Sequence, residues 1–391
     1  MAKVSLGLDV FREEYRRGLK GYNLGLLSNQ ASLDSQLRPA REVVSRLLPG
    51  QLKALFGPQH GFGGEEQDNM LETAHAIDQE LEIPVFSLYS QVREPSPEML
   101  ESLDILLIDL QDVGTRVYTY ASTMLGCLRA AAKSGKRVII LDRPNPLGGE
   151  IVEGNLLRPD LFSFVGPYSL PMRHGLTMGE LARIFDEVFE IHCDLHIVPM
   201  KGWRREMTWQ ETGLKWFMPS PNMPLPETAQ VYPGQVLWEG TNVSEGRGTC
   251  RPFEIFGAPF LRTKALGQAL HPRATAGCVL QEISFRPTFN KWQGEVCRGF
   301  MIHITDHGIY RPYFTSIAIL RAVLDIYRRD LVWKAPPYEY EFTKMPIDLI
   351  LGDSSIRKAL ETGKDLSELR EEWETGIQKF LTWRSPYLIY R

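Results

Sequence analysis

The sequence predicts an α/β fold: a Rossmann-like parallel sheet flanked by helices, with a smaller α+β C-terminal domain. Three observations carry this prediction. Short apolar, β-rich runs alternate with helical stretches through the first half, the central run is uninterrupted, and several of the runs end in a polar cluster. An unbroken apolar strand is the mark of burial on both faces of a parallel sheet, and strand-helix-strand repetition at this spacing implies right-handed crossovers.

Residues 24–29 (LGLLSN) read as the first strand, 39–48 as a helix, and 52–56 and 85–89 as further strands. Residues 96–103 start a short helix, with Ser96 as N-cap and Pro97 at the first helical position. Residues 105–110 (ILLIDL) supply the apolar central strand, 121–134 a helix closed by Gly135, and 137–142 the next strand. Thr177 with Glu180 three residues on forms a capping box for a helix over 177–190, and 195–200 follow as a strand. Across 203–259, Pro, Gly and Trp replace periodicity, which marks an active-site loop region rather than a plain linker. β-rich stretches at 278–285 and 300–305 and helices at 314–329 and 367–382 then predict the smaller domain. The expected divisions are 1–202, 203–259 and 260–391.

The 391 residues carry 44 Lys plus Arg against 48 Asp plus Glu, a formal net charge of -4. That balance does not predict nucleic-acid binding, which needs clustered positive charge. No apolar run approaches the ~20 residues of a membrane helix, so no membrane partner is expected. The N-terminus lacks a signal-peptide pattern, and five cysteines without C-x-x-C spacing suit reduced thiols. The expected location is cytoplasmic, or periplasmic or secreted if a leader has been removed.

Parallel sheets bind ligands beyond the carboxyl ends of their strands. Ser28-Asn29-Gln30, Gly57-Pro58-Gln59-His60-Gly61, Asp109-Leu110-Gln111-Asp112 and Asp142-Arg143-Pro144-Asn145 all fall there. GFGGEE at 61–66 lacks the third glycine of a dinucleotide fingerprint and no phosphate-binding loop occurs, so no nucleotide cofactor is expected. His192/His196 and His303/His307 have metal-like spacing but adjoin strand-like runs, so no metal is expected either. Carboxylates are the stronger lead: Asp112, Glu245 and Glu254 lie in separate segments, as an acid and a base facing one cleft commonly do. The plain alternative for Asp112 is an ion pair with Arg116. Arg116, Arg143 and Arg247 offer forks for a ligand carboxylate, whereas Cys127 reads as a buried, inert thiol.

LFGPQHGFGG (55–64), PVFSLYS (84–90), DLQDVGTRVYTYASTM (109–124), LDRPNPLGG (141–149), RHGLTMGELA (173–182), PSPNMP (219–224) and EGTNVSEGRGTCRPFEIFGAP (239–259) run in order along the chain. Together they resemble the bacterial exo-β-N-acetylmuramidase family, long catalogued as a domain of unknown function. The resemblance implies a Rossmann-like domain without a nucleotide, an auxiliary C-terminal domain and an active site between them. It also implies release of N-acetylmuramic acid from the non-reducing end of peptidoglycan fragments, with a small-molecule sugar or muropeptide as partner. Many members carry Glu where this chain has Gln59, and Glu65 or Glu66 is then expected to substitute. On this reading Glu245 and Asp112 are the acid/base pair, with Glu254 third and Glu65 in reserve. Asn29, His60, Arg116, Tyr118, Arg143, Asn145 and His174 are expected to contact substrate, Asn222 to hold the acetamido group and Arg247 the lactyl carboxylate. The alternatives are a non-catalytic binding protein for cell-wall sugars or anionic metabolites, and an amidase or esterase on the same scaffold.

Overall fold

A computed structural model describes residues 3–64, 66–68 and 70–391, the side chains of 16 and 17 excepted. The apolar runs of the first half become strands β1 (Leu24–Ser28), β2 (Leu52–Gly57), β3 (Ala76–Asp78), β4 (Ile83–Ser87), β5 (Ile105–Asp109) and β6 (Arg137–Leu141). A short hairpin, β7 (Glu153–Leu156) with β8 (Pro171–Arg173), precedes β9 (Asp194–Val198). Seven strands form one sheet in the order β3-β4-β2-β1-β5-β6-β9, parallel throughout except for the edge strand β3. β1 and β5 pair from Leu24 opposite Ile105 to Ser28 opposite Asp109. The strand order reverses between these two, which is where open α/β sheets leave a crevice.

The period-2 alternation of β5 divides the core. Ile105 and Leu107 pack with Leu8, Phe11 and Val44 from helices Gly7–Glu14 and Ala40–Leu47, whereas Leu106 and Ile108 pack with Met124, Leu128, Leu181 and Phe185 from helices Tyr120–Lys133 and Met178–Val188. The Thr177 capping box is present, with Glu180 N–H donating to Thr177 Oγ1. Gly135 sits at φ 63°, as its place after the helix requires.

The second half is built on a three-stranded antiparallel sheet. Its strands β10 (Ile255–Ala258), β11 (Cys278–Phe285) and β12 (Cys297–Ile304) lie in the order β10-β12-β11; the long helix Pro312–Tyr327 packs on the helix before the sheet, and the helix Leu366–Arg384 packs on β7. One apolar cluster runs from Met124 and Leu128 through Trp238 and Tyr313 to Trp373, so the halves share a core.

The stretch expected to lack structure contains a helix, Pro226–Gln235, that continues as a 3-10 turn, Val236–Gly240. Pro233 and Gly234 disguise it in the sequence. The helix forms because it is buried against Pro312–Tyr327, and an ideal Cβ on Gly234 would come 1.9 Å from the Pro312 carbonyl oxygen. Tertiary packing has overridden local propensity.

Candidate active site

At the β1/β5 switch point the chain fills its own crevice. Asn29 Nδ2 donates to the carbonyls of Gln111 (3.1 Å) and Pro219 (3.3 Å), and Gln30 Nε2 to that of Met218 (2.7 Å). Tyr120 OH donates to the Pro219 carbonyl at 2.7 Å. Arg143 forms a two-pronged pair with buried Asp109, 2.8 Å at Oδ2, and reaches the Leu33 carbonyl at 2.8 Å. The space left, bordered by Trp209, Leu214 and Phe217, is about 20 Å³.

A different cavity, about 30 Å³, lies where the loops after β2 and β5 meet the second half. Gln59 and His60 come from the first loop and Tyr118 and Tyr120 from the second. The proline-rich loop contributes Asn222, the helix and its 3-10 extension contribute Tyr232 and Glu239, the SEGRGT segment leads to Arg247 and Phe253, and a turn far along the chain brings Tyr338 and Glu339.

That turn is a two-residue hairpin. Tyr338 and Glu341 exchange both backbone bonds at 2.9 Å, leaving Glu339 (φ 45°) and Tyr340 (φ 66°) as left-handed central residues. Such turns favour Asn and Gly, and each ordinary residue held left-handed costs about 1–2 kcal/mol. His60 (φ 76°) and Phe253 (φ 62°), also on the cavity wall, are left-handed too. Strain of this kind collects where a site needs a side chain that relaxed backbone would point elsewhere.

The turn's side chains divide the work. Tyr338 OH donates to Glu239 Oε2 at 2.6 Å. Glu339 accepts from Tyr89 OH at 2.6 Å and from Gln59 Nε2 at 3.0 Å. Tyr340 packs edge-on against Tyr89, ring centroids 5.2 Å apart, with the Arg93 guanidinium 3.4 Å over its ring.

The two cavity carboxyls have opposite surroundings. Burial works to raise the pKa of Glu239, but the Arg247 guanidinium at 2.7 Å and the Tyr338 hydroxyl outweigh it and hold the carboxyl below its usual range. Burial pushes Glu339 up to about 7, against the opposing bonds from Tyr89 and Gln59. Burial also pulls His60 down to about 4, so its ring is neutral at pH 7, with Nδ1 2.7 Å from the Glu66 carbonyl. Asn222 donates to the Gln67 carbonyl at 2.6 Å, but among the described residues its Oδ1 is buried without a hydrogen-bond partner, as is Tyr118 OH. Buried polar atoms left open in a cavity are where a ligand makes its bonds.

Of the sequence-predicted residues, His60, Tyr118, Asn222 and Arg247 meet in this cavity. Asn29 and Arg143 belong to the filled crevice instead. Asp112 does not line the cavity; its Oδ1 accepts from Gly114 N–H at 2.6 Å, its Oδ2 has no partner among the described residues, and burial pushes it up to about 7. No ion pair joins it to Arg116, whose guanidinium caps the carbonyls of Asn155, Leu170 and Ile350 at 2.9–3.0 Å. Glu245 also lies off the cavity wall, paired with Lys291 at 2.7 Å and Arg247 at 3.3 Å. Glu254 accepts from Thr228 at 2.6 Å and from Arg251 at 3.0 Å. Asn145 bridges Leu147 N–H and the Leu176 carbonyl, so close to Gly114 (φ 75°) that an added Cβ would sit 2.2 Å from its Oδ1. His174 Nδ1 accepts Leu176 N–H at 3.1 Å, and burial brings its pKa down to about 3. Glu65 lies outside the described residues.

Sequence reasoning missed Glu239 and Glu339. Glu239 opens the EGTNVSEGRGT string without any spacing that singles it out from Glu245. Glu339 sits in PPYEYEF, where alternation of aromatic and acidic residues is the one signal.

The chain matches two family models, "Exo-beta-N-acetylmuramidase NamZ, N-terminal" over residues 24–227 and "Exo-beta-N-acetylmuramidase NamZ, C-terminal" over 230–390. It is similar to the peptidoglycan β-N-acetylmuramidase NamZ of Bacillus subtilis (strain 168), with 40% identity over 389 residues, 99% of this chain and 92% of the relative. Two solved DUF1343 family proteins of Bacteroides fragilis NCTC 9343 share the fold. One has a TM-score of 0.89 at 30% identity and covers 100% of both chains. The other has a TM-score of 0.75 at 27% identity and covers 100% of this chain and 99% of that one.

Proposed function

The chain belongs to the NamZ family of exo-β-N-acetylmuramidases, and from that premise we propose that the cavity beneath the Tyr338–Glu341 turn is its active site. It is a glycoside hydrolase that frees N-acetylmuramic acid from the non-reducing end of peptidoglycan fragments, sugars or muropeptides. One observation carries the placement: an ionised Glu239, fixed by Arg247 and Tyr338, shares a cavity with two buried polar atoms that have no partner among the described residues.

Breaking a glycosidic bond builds positive charge at C1 and the ring oxygen. Glu239 supplies the fixed negative charge for that moment, and because it is already oriented it costs no reorganisation as the charge develops. Asn222 Oδ1 accepts the N–H of the 2-acetamido group, and Tyr118 OH takes a ring hydroxyl. Arg247 commits one edge to Glu239; among the described residues its NH1 edge meets the Gln67 carbonyl alone, at 3.5 Å, and is the site's donor for the lactyl carboxylate.

About 30 Å³ suits one water, not a sugar. The walls therefore part when substrate enters. The bonds that give way are those of Gln67 to Asn222 and Arg247, Asp68 to Asn290, and Met70 Sδ to Glu339 N–H.

Purified protein should release N-acetylmuramic acid from disaccharides in which that sugar is non-reducing, and leave N-acetylglucosamine-terminated isomers intact. Sugar release from the isomers at an equal rate, or from neither, overturns this placement of specificity.

A further inference from the structure

We propose that Glu339 is the proton donor to the leaving sugar's oxygen, presented to the cavity by the left-handed turn that carries it. The proposal rests on the glycosidase reading above and adds the group that reading leaves unassigned.

Among the described residues two carboxyls line the cavity, Glu239 and Glu339. Glu239 is ion-paired and cannot keep a proton at neutral pH. Among the described residues no cation lies within hydrogen-bonding distance of Glu339. Its direct neighbours are the Tyr89 phenol and the Gln59 amide, both uncharged at pH 7. The amide is aimed: Thr119 Oγ1 donates to Gln59 Oε1 at 2.6 Å, so Nε2 faces Glu339. The other groups around it are the Glu239 carboxylate and Arg247 guanidinium across the cavity, the phenols of Tyr232, Tyr338 and Tyr340, and a neutral His60. Burial and the Glu239 charge favour the protonated form, and the bonds from Tyr89 and Gln59 together with the Arg247 charge oppose it; the balance falls near neutrality, where a general acid is most useful. Asp112 is tuned alike but does not reach the cavity, while Glu245 and Glu254 are paired elsewhere.

In the step itself the Glu339 proton passes to the glycosidic oxygen. The C1–O bond breaks, its electron pair stays on that oxygen, and the leaving sugar departs as an alcohol. Glu239 faces the charge left at C1. Water adds to C1, and the proton it surrenders restores the Glu339 carboxyl.

The test uses the intact chain with two substrates: an N-acetylmuramic acid–N-acetylglucosamine disaccharide, whose leaving group needs a proton, and a 4-nitrophenyl N-acetylmuramide, whose leaving group does not. Glu339→Gln should lower kcat/KM on the disaccharide by ~100-fold or more but on the aryl glycoside by less than ~10-fold, and should erase the alkaline limb expected of the wild type near pH 7. Equal losses on both substrates, or no loss on the disaccharide, overturn the assignment. Tyr89→Phe offers a check that keeps Glu339 in place. Losing a bond to the carboxylate should move the alkaline limb upward by ~0.5–1 unit, and an unmoved limb overturns the proposal. Wild type inactive on both glycosides would instead sink the glycosidase reading of the cavity.

Discussion

The crevice between β1 and β5 and the cavity beneath the Tyr338–Glu341 turn are both built from loops that follow sheet strands, yet they hold their polar groups differently. In the crevice, Arg143 and Asp109 neutralise each other and Asn29 spends its amide on two carbonyls. In the cavity, Asn222 Oδ1 and Tyr118 OH have no partner among the described residues, and two glutamates sit in contrasting electrostatic settings. Polar residues at strand ends are needed first to hold loops together. The cavity adds walls from far along the chain, Glu239 and the Tyr338–Glu341 turn, and it is there that the two contrasting glutamates meet.

The contrast breaks most decisively at Glu239. Replacing it by Gln should lower kcat on disaccharide and aryl glycoside alike by ~10²–10⁴-fold, since charge at C1 develops with either leaving group. Steady-state kinetics showing normal turnover would move the chemistry out of this cavity. Arg143→Ala tests the other region. It strands a buried Asp109 and should cost about 3–5 kcal/mol in denaturant unfolding, while protein that remains folded keeps the wild-type KM. A large KM change with stability intact would make the crevice a binding site after all.

Stability against pH sharpens the comparison further. Glu339 holds its proton to about 7 in the folded chain, but an unfolded Glu releases it near 4.3. The native state therefore binds more protons between those values, so this group's contribution is lost as pH rises. Wild type should lose about 3 kcal/mol relative to Glu339→Gln between pH 4 and pH 8, whatever the offset between the two proteins. Parallel stability curves would mean that Glu339 is not buried as a neutral acid. The smallest expected effect is at Asn222. Asn222→Ala should cost about 1–3 kcal/mol in kcat/KM on N-acetylated substrates and little on analogues lacking the acetamido group, and an equal loss on both would assign Asn222 to holding Gln67 alone.

Much of the sheet was legible because its signals are local. ILLIDL needs no partner to read as a buried strand, and Thr177 with Glu180 announces a helix start from four residues. The helix Pro226–Gln235 was not, because Pro233 and Gly234 are tolerated there only by packing against the second half. The cavity was half legible. His60, Tyr118, Asn222 and Arg247 stand in motif-like strings, but Glu339 meets Gln59 across 280 positions and Tyr89 across 250. No window of sequence displays a contact of that range. Glu245 drew notice over Glu239 because its flanking glycines look like a site; nothing local shows that Lys291 occupies its carboxylate.

A chamber nearly shut in the resting protein also dictates how goods move through it. An open groove lets a glycan slide forward to the next linkage, whereas a closed chamber takes one chain end, holds it and must unseal again before the freed sugar departs. On the proposed placement, two openings per turnover leave no route for sliding along a strand. On that placement each turnover includes an opening at Gln67, Met70 and the Tyr338–Glu341 turn on either side of the bond cleavage.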